Sequence, residues 1–453
     1  MPPERTNNRI QIVKYAPPPP ELPVYGQVRP EDVSFFARTN YVAALETKNF
    51  IFGMKRVDRR RHVYMIGKSR VGKSKLLELL ARQDIAYGHG LIFIDPHGDT
   101  IRDLLEFIPR ERAGDVCVID PLDTEHPPAF NPFDGVPDAF KHLLSEGLIE
   151  VMHRQFGAAW TPRVEHIFRF VCLALLDRPH ATMQGIVSML TDEAYRRDTI
   201  PHIKDETVRR FWEIQFPAFM EKYDAEAIMP LVNKFTQFFS DPILGAIVSQ
   251  RENKVDLSRL INEKKIVLVN LARGRLDEDA AGFLGSLFII KLHQAGIERT
   301  MSPAPEPNDF YVYCDEFPKL AVDTLRDILS LGKKYGFCLA LAHQYIGQLS
   351  PKMQAAVLGY AGTIVVFRVG GDDAVKLKSE MAPVFDVKDM INLGTGQFYI
   401  KMMIDGEVYD PFSAETLKVL PAKHPSFREE IIRLSHEQFG ATPENRKVEI
   451  AEM

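Results

Sequence analysis

The stretch RHVYMIGKSRVGKSK, residues 61–75, decides the fold of this 453-residue chain. Its second half has the spacing G-x-x-x-x-G-K-[ST], with a short apolar run before it and a helical pattern after it. Glycines in this spacing let the backbone turn tightly, so that successive N–H groups converge on a phosphate at the positive end of the following helix. The pattern therefore predicts a nucleotide-binding loop formed by Gly67, Lys68, Ser69, Arg70, Val71, Gly72, Lys73 and Ser74.

Two residues of this loop have specific expected roles. Lys73 should reach the β- and γ-phosphates of ATP, and the Ser74 hydroxyl should be a ligand of Mg²⁺. The alternative is a chance glycine turn. The flanking strand and helix make that the weaker interpretation.

A second motif, FYVYCDEF at 310–317, combines an apolar strand with two adjacent carboxylates. We expect Asp315 to hold Mg²⁺ through its water shell and Glu316 to accept a proton from the attacking water. Adjacent strand residues point to opposite sides, so the two carboxylates can serve different atoms. A helix cap is the alternative role. We also expect this strand to neighbour the strand of the phosphate loop in the sheet.

The next apolar run, FCLALAHQ at 337–344, ends in a glutamine. A glutamine at the tip of a neighbouring strand can donate to the γ-phosphate and accept from the attacking water. We therefore expect Gln344 to position the nucleophile. A glutamine that only completes a turn is the alternative.

The order of the elements predicts the fold class. Apolar strands alternate with helices before residue 134 and again after residue 256, which is typical of an α/β fold with a mostly parallel central sheet. A hairpin is expected at 396–412, turning at Asp405-Gly406. The predicted domains are a proline-rich, solvated lead-in with a small β segment (1–60), the first part of the core (61–134), an inserted all-α domain (135–255), the second part of the core (256–420) and a charged tail (421–453).

Composition limits the possible function classes. The chain is 45% hydrophobic and 26% charged with a formal net charge of −5, so any contact with nucleic acid has to be local. A local excess of basic residues between Lys55 and Lys75 is either such a contact or a solvated face. The four cysteines are widely spaced, which predicts buried thiols and neither disulfides nor a zinc site.

Several conspicuous side chains are better explained by structure than by function. Asp95 and Asp120 each end a predicted strand, where an aspartate commonly caps the next helix. Trp160, Arg163 and His166 lie at helical spacing beside a long apolar run, so packing is favoured over stacking on nucleic-acid bases.

The sequence also gives an expectation of location. No stretch has the pattern of a membrane span, and the N-terminus lacks the basic-then-apolar layout of a signal peptide. We expect a cytoplasmic protein that reaches a membrane only through partner proteins.

Further segments carry a family resemblance. They are LIFIDPHGD, AFNPFD, IVLVNLARGRLDEDAAGFLGSLFIIKL, YVYCDEF, LGKKYGFCLALAHQYIGQL and IVVFRVGGDDA, and with the phosphate loop they cover roughly residues 50–415. In this combination the chain resembles the HerA/FtsK superfamily of P-loop ATPases, and within it the TraD/TraG-type coupling proteins of conjugative type IV secretion. The resemblance implies a RecA-like core, ATP and Mg²⁺ as cofactors, and a homo-oligomer, a hexamer, that translocates DNA.

The resemblance also implies a cation that one subunit offers to the γ-phosphate of its neighbour. The family usually has arginine at the position matching Lys333, and lysine keeps the charge but loses the planar two-pronged donor. Arg368, on the strand predicted after Gln344, is the alternative source.

Two other functions stay open. One is a ring that binds ATP and hardly hydrolyses it, which the lysine at 333 favours, and the other is a motor for protein secretion or DNA-end processing.

Overall fold

The computed structural model of the protein describes residues 13–41, 49–223, 228–271, 276–301, 307–320 and 322–441. Part of the predicted lead-in and the end of the predicted tail lie outside these ranges. The strands within them are β1 (Val33–Thr39), β2 (Ile51–Lys55), β3 (Val63–Ile66), β4 (Gly90–Asp95), β5 (Val116–Ile119), β6 (Ile266–Asn270), β7 (Phe310–Cys314), β8 (Phe337–His343), β9 (Thr363–Val366), β10 (Gln397–Lys401), β11 (Met403–Ile404), β12 (Glu407–Val408) and β13 (Phe412–Thr416).

Helices connect most of these strands. They are α1 (Arg56–Arg59), α2 (Lys73–Ala86), α3 (Asp99–Phe107), α4 (Lys141–Phe156), α5 (Pro162–Asp177), α6 (Gly185–Thr191), α7 (Glu193–Thr199), α8 (Glu206–Arg210), α9 (Phe216–Tyr223), α10 (Met229–Ser240), α11 (Pro242–Val248), α12 (Leu257–Asn262), α13 (Glu278–Met301), α14 (Val322–Tyr335), α15 (Pro351–Tyr360), α16 (Gly371–Met381), α17 (Val387–Ile391) and α18 (Arg428–Phe439).

The chain packs into two compact units. The P-loop unit contains the described residues of 13–87, 314–317 and 338–420. The helical unit contains those of 88–313, 318–337 and 421–441.

The sheet of the P-loop unit has the strand order β2-β1-β13-β10-β9-β3-β8. Its β9, β3 and β8 are parallel, whereas β10, β13, β1 and β2 continue the sheet with antiparallel pairs. Every residue of β3 and β8 is buried, as expected of parallel strands covered on both faces. The phosphate loop therefore starts from the parallel part of the sheet.

The strands of the helical unit follow the order β7-β4-β6-β5, and β4, β6 and β5 are parallel. All residues of β4 and β6 are buried, which explains their unbroken apolar runs. Among the described residues between 135 and 255, every regular element is a helix. The predicted α/β class with a parallel core is thus confirmed, while the predicted domain boundaries stay predictions.

Helix α13 is the central helix of the helical unit. Within the described ranges it is the one helix that is long and apolar enough to cross a membrane. Of the 18-residue segment that meets this test, 94% is buried inside the protein. Its burial on all sides identifies it as a core helix by packing.

The predicted turn at Asp405-Gly406 is confirmed. β11 and β12 form an antiparallel pair on either side of it, and both turn residues have positive φ, 52° for Asp405 and 86° for Gly406. Type I′ hairpin turns require this conformation, which explains the Asp-Gly dipeptide.

Two expectations about the fold are wrong. The sheet neighbours of β3 are β8 and β9, so the acidic strand β7 does not lie beside it. The described part of the proline-rich lead-in is not solvated throughout: Pro17 and Pro20 are exposed, but Ala16 and Leu22 are buried, and Ala16 exchanges hydrogen bonds with Ser413 of β13. Composition alone does not reveal a contact with a segment 397 residues further along the chain.

Candidate functional site

The phosphate loop joins the end of β3 to the start of α2 in the P-loop unit. Two backbone hydrogen bonds hold its first residues: Gly67 N donates to His343 O at 3.3 Å, and Lys68 N donates to Arg368 O at 2.9 Å. Arg70 and Gly72 have positive φ of 61° and 122°. Residues of left-handed conformation in such a loop turn backbone N–H groups toward a common point, which makes an anion-binding concavity.

Glycine at position 67 is required by a close approach. A Cβ atom there would lie 2.6 Å from the Cβ atom of Phe367, so any larger residue would push the loop away from the chain that follows β9. This contact explains the first glycine of the motif.

Lys73 begins α2 and is 6% exposed. Its ammonium group donates to the loop carbonyls of Gly67 at 2.6 Å and Lys68 at 3.0 Å. Burial lowers the pKa of Lys73, and the nearby charges of Asp315 and Glu316 partly oppose that shift. The lysine is thus enclosed by the loop and faces two carboxylates.

The predicted metal-binding pair is in contact. Ser74 Oγ donates to Asp315 Oδ2 at 2.5 Å, and the other carboxylate oxygen of Asp315 accepts from Glu316 N at 3.0 Å. A serine hydroxyl beside a carboxylate offers the hard oxygen ligands that Mg²⁺ prefers.

Glu316 and Gln344 form the second contact of the site. Gln344 Nε2 donates to Glu316 Oε1 at 2.6 Å, and Gln344 Oε1 accepts from Ser69 Oγ at 3.0 Å. The glutamine therefore bridges the phosphate loop and the glutamate.

The side chains of Asp315 and Glu316 have different partners, but not for the reason predicted from the sequence. β7 ends at Cys314, so strand alternation does not separate the two side chains. Glu316 instead has φ of 50°, a left-handed conformation that is costly for a residue with a Cβ atom. Such strain is common at functional sites, where surrounding contacts maintain it.

The remaining predicted residues have different positions. Val71 is fully buried, and its carbonyl accepts from Gly396 N at 2.9 Å, so it anchors the loop. Arg368 lies two residues beyond β9, not on a strand, and its carbonyl is bonded to the loop of its own chain. Lys333 is exposed near the end of α14 in the helical unit.

Part of the predicted basic patch is a structural feature. Arg56 and Arg59 are buried against Asp84, with guanidinium to carboxylate distances of 2.5 Å and 2.8 Å. Lys55 pairs with Asp405 at 2.6 Å. Arg61, Lys68, Arg70 and Lys75 of the same run are exposed, so for them a solvated face or a nucleic-acid contact stays a prediction.

The packing interpretation of other conspicuous residues is confirmed. Trp160 is buried and its indole N–H donates to Glu165, while His166 packs on Phe170 and Phe211. Asp95 caps α3, since Oδ2 accepts from the backbone N–H groups of Thr100 and Ile101.

The comparison with protein families decides the identity of the chain. The family model for type IV secretory system conjugative DNA transfer matches residues 30–356. The chain belongs to this family. It is thereby a P-loop protein of the HerA/FtsK type, as the sequence motifs indicated.

One curated relative of the chain is distant in sequence. The chain is 20% identical over 403 residues to the type 4 coupling protein DotL of Legionella pneumophila subsp. pneumophila, covering 76% of this chain and 50% of DotL. The chain therefore spans about half the length of this curated relative.

Solved structures share the fold. The unbound bacterial conjugative coupling protein TrwBΔN70 has a TM-score of 0.60 at 15% identity, covering 83% of this chain and 89% of that chain. TrwB with ADP and Mg²⁺ has a TM-score of 0.58 at 15% identity, covering 83% and 90%. VirB4 of Thermoanaerobacter pseudethanolicus has a TM-score of 0.53 at 13% identity, covering 79% and 89%. At these identities the likeness shows the fold alone, a RecA-like α/β core.

Proposed function

We propose that this member of the conjugative DNA transfer family is a Mg²⁺-dependent ATPase that assembles into a ring and moves DNA. The observation that carries the proposal is the meeting of three separate segments in the P-loop unit: Ser74 contacts Asp315, and Gln344 contacts Glu316. A phosphate loop alone binds nucleotide, whereas hydrolysis also needs a metal ligand, a base and a group that orients water.

The residues of the site fit both cofactors. The loop amides and Lys73 would hold the phosphates, and Ser74 with Asp315 would hold Mg²⁺. Bound Mg²⁺ would neutralise charge on the β- and γ-phosphates. TrwB, which shares the fold, has been observed with ADP and Mg²⁺ and with a non-hydrolysable ATP analogue.

The chain's own groups supply the remaining chemistry. Glu316 would take the proton of the attacking water, because its carboxylate lies beside Lys73 and is already oriented by Gln344. Gln344 would hold that water in line, since its amide can donate and accept at the same time.

Two cations are proposed to act at the γ-phosphate. Arg368 would act within its own subunit, because its backbone is bonded to that subunit's phosphate loop. Lys333, which is exposed on α14, would act on a neighbouring subunit if the nucleotides lie between subunits.

Replacement of Lys73 tests the ATPase proposal. Lys73→Ala removes the buried cation of the loop, so we expect steady-state ATP turnover to fall by about 100-fold or more. Lys376→Ala, which removes an exposed lysine of the same unit, is the matched control. Equal turnover in wild type and Lys73→Ala would refute the proposal.

DNA is the proposed substrate because the family is described by conjugative DNA transfer. Contacts to phosphates would dominate binding, so the affinity for labelled DNA should fall steeply with salt. Fluorescence anisotropy across a salt series measures this, with RNA and an acidic protein as competitors. An affinity that does not change with salt, or stronger binding of the acidic protein, would favour the protein-secretion alternative.

A ring that binds ATP with little turnover is the second candidate. The lysine at 333, in place of the family's usual arginine, is the feature that favours it. Sedimentation with and without ATP tests the hexamer, and single-turnover kinetics of the wild type test hydrolysis. Assembly on ATP without release of phosphate would establish the second candidate.

We further propose a cytoplasmic location, with the inner membrane reached through partner proteins.

A further inference from the structure

A buried histidine directly precedes Gln344 and has no role in the chemistry described above. His343 is the last residue of β8 and is 0% exposed. Its ring lies between two polar groups: Nε2 is 2.7 Å from Tyr64 Oη, and Nδ1 is 3.2 Å from Gln348 Oε1. Both nitrogens of this fully buried imidazole thus have hydrogen-bond partners, as expected of buried polar groups that belong to a specific network.

The donors and acceptors of the hydrogen bonds that link Tyr64, His343 and Gln348 can be assigned. Gln348 Oε1 also lies 3.3 Å from Gln344 N and 3.2 Å from Tyr345 N, and both backbone groups can only donate. The atom at this position must therefore be an oxygen, so His343 Nδ1 has to carry the proton. His343 Nε2 is then the acceptor, and the Tyr64 hydroxyl donates to it.

The histidine also touches the other two segments of the site. Its carbonyl accepts from Gly67 N at the start of the phosphate loop. The ring of Phe317, the residue after Glu316, packs against the imidazole in an edge-on manner with centroids 5.0 Å apart. One residue thus contacts the loop, the acidic segment and, through Gln348, the turn that carries the glutamine.

The imidazole is suited to hold a fixed arrangement. Burial lowers the pKa of His343 to about 4, and the charge of Lys73 adds to this effect. The ring is therefore neutral near pH 7 and keeps one tautomer, with one donor and one acceptor.

We propose that the chain Tyr64–His343–Gln348 positions Gln344 for hydrolysis, with His343 as the positioning residue. The inference rests on the proposed ATPase function and deepens it. His343 orients the oxygen of Gln348, and that oxygen holds the backbone amides of Gln344 and Tyr345. The glutamine side chain is thereby kept within reach of Glu316 and Ser69. A small displacement of a group that orients water is costly for rate and neutral for binding.

Four variants test the proposal. His343→Leu removes both ring nitrogens. His343→Asn keeps an N–H group that can donate to Gln348 but loses the ring nitrogen that accepts from Tyr64. Tyr64→Phe removes the hydroxyl that donates to the ring. The matched control is Tyr399→Phe, which removes the hydroxyl of another buried tyrosine in the same unit, one that donates to Lys14 O and not to a residue of the site.

We expect kcat to fall about tenfold or more in His343→Leu while the dissociation constant of a fluorescent ATP analogue changes less than about twofold. His343→Asn should recover part of kcat. Tyr64→Phe should lower kcat alone but add little in the His343→Leu background, because both act through one chain of bonds. Tyr399→Phe should leave kcat unchanged.

Other outcomes overturn the proposal. If kcat of His343→Leu equals that of wild type, the histidine positions nothing. If kcat, nucleotide affinity and melting temperature fall together, its role is structural only.

A second measurement does not depend on turnover. The ¹⁵N shifts of selectively labelled histidine should show His343 protonated at Nδ1 and bare at Nε2, and Tyr64→Phe should move the Nε2 shift. If wild type hydrolyses no ATP but these shifts appear, the ATPase proposal fails while the hydrogen-bond chain stands. The opposite tautomer overturns the positioning proposal whatever the turnover.

Discussion

At the scale of single residues, Asp84 shows how a basic run in the sequence becomes a buried ion-pair cluster. Its carboxylate is 0% exposed and accepts from both Arg56 and Arg59, which are themselves buried. The spacing of the arginines on the sequence gives no sign of this partner, because Asp84 lies near the end of α2, more than one element away.

Replacement of this carboxylate should be costly. Asp84→Asn removes the carboxylate charge that two buried guanidinium groups contact, so the free energy of unfolding should fall by about 3–5 kcal/mol. Asp405→Asn, which breaks the exposed pair with Lys55, should cost less than about 1 kcal/mol. Urea unfolding of both variants measures the difference. Equal effects would show that burial of the pair does not matter.

The pH dependence of stability should carry a contribution from His343. Its pKa is about 4 in the folded chain and 6.5 when unperturbed, so between these values the unfolded chain binds the extra proton. Stability should therefore be lost as the pH falls from about 6.5 to about 4, by up to about 3 kcal/mol for this group.

His343→Asn should flatten this part of the curve. Urea unfolding at a series of pH values, with the exposed His202→Asn as control, measures the difference between the variants. Parallel curves for wild type and His343→Asn would contradict the buried, neutral imidazole.

At the scale of elements, the packing of α4 on α13 depends on a glycine. A Cβ atom at Gly147 would lie 2.8 Å and 2.9 Å from two side-chain carbons of Ile290, so the helices would have to separate or repack. Gly147→Ala should therefore destabilise the protein by about 1–3 kcal/mol, although alanine is the better helix former.

A helix glycine with free space around it provides the control. In the part of the chain that the structure describes, no atom beyond the chain neighbours and helix backbone of Gly359 in α15 lies within 4 Å of a Cβ position. Gly359→Ala should therefore be neutral or stabilise by up to about 1 kcal/mol. Thermal unfolding of the two variants tests the pair. Stabilisation by Gly147→Ala would mean that the helices are not in close contact.

The sequence predicted the individual strands more reliably than it predicted which strands pair in the sheet. The apolar runs indicated β3, β4, β6 and β8 within a few residues, because strands buried on both faces consist mostly of apolar residues. The runs do not encode which strands pair. The pairing of β3 with β9 became apparent only from the register of Val63 with Thr363.

At the scale of the whole molecule, the order of motifs along the chain was enough to predict the fold class and the meeting of Ser74, Asp315, Glu316 and Gln344. β3 and β8 are parallel and present their carboxyl ends at one edge, so the phosphate loop and Gln344, which follow them, converge there. The contact of Ser69 with Gln344 and the network around His343 were not predicted. Both depend on side-chain hydrogen bonds between segments about 275 residues apart, for which local patterns contain no signal.

The central claim is that Glu316 is the base of an ATPase site, and single-turnover hydrolysis by Glu316→Gln tests it most directly. The glutamine keeps the size of the side chain but does not accept a proton, so we expect ATP to bind as in wild type and its hydrolysis to slow by about 100-fold or more. The exposed Glu407→Gln of the same unit should hydrolyse ATP at the wild-type rate. Hydrolysis at the wild-type rate by Glu316→Gln would contradict the role of Glu316 as the base.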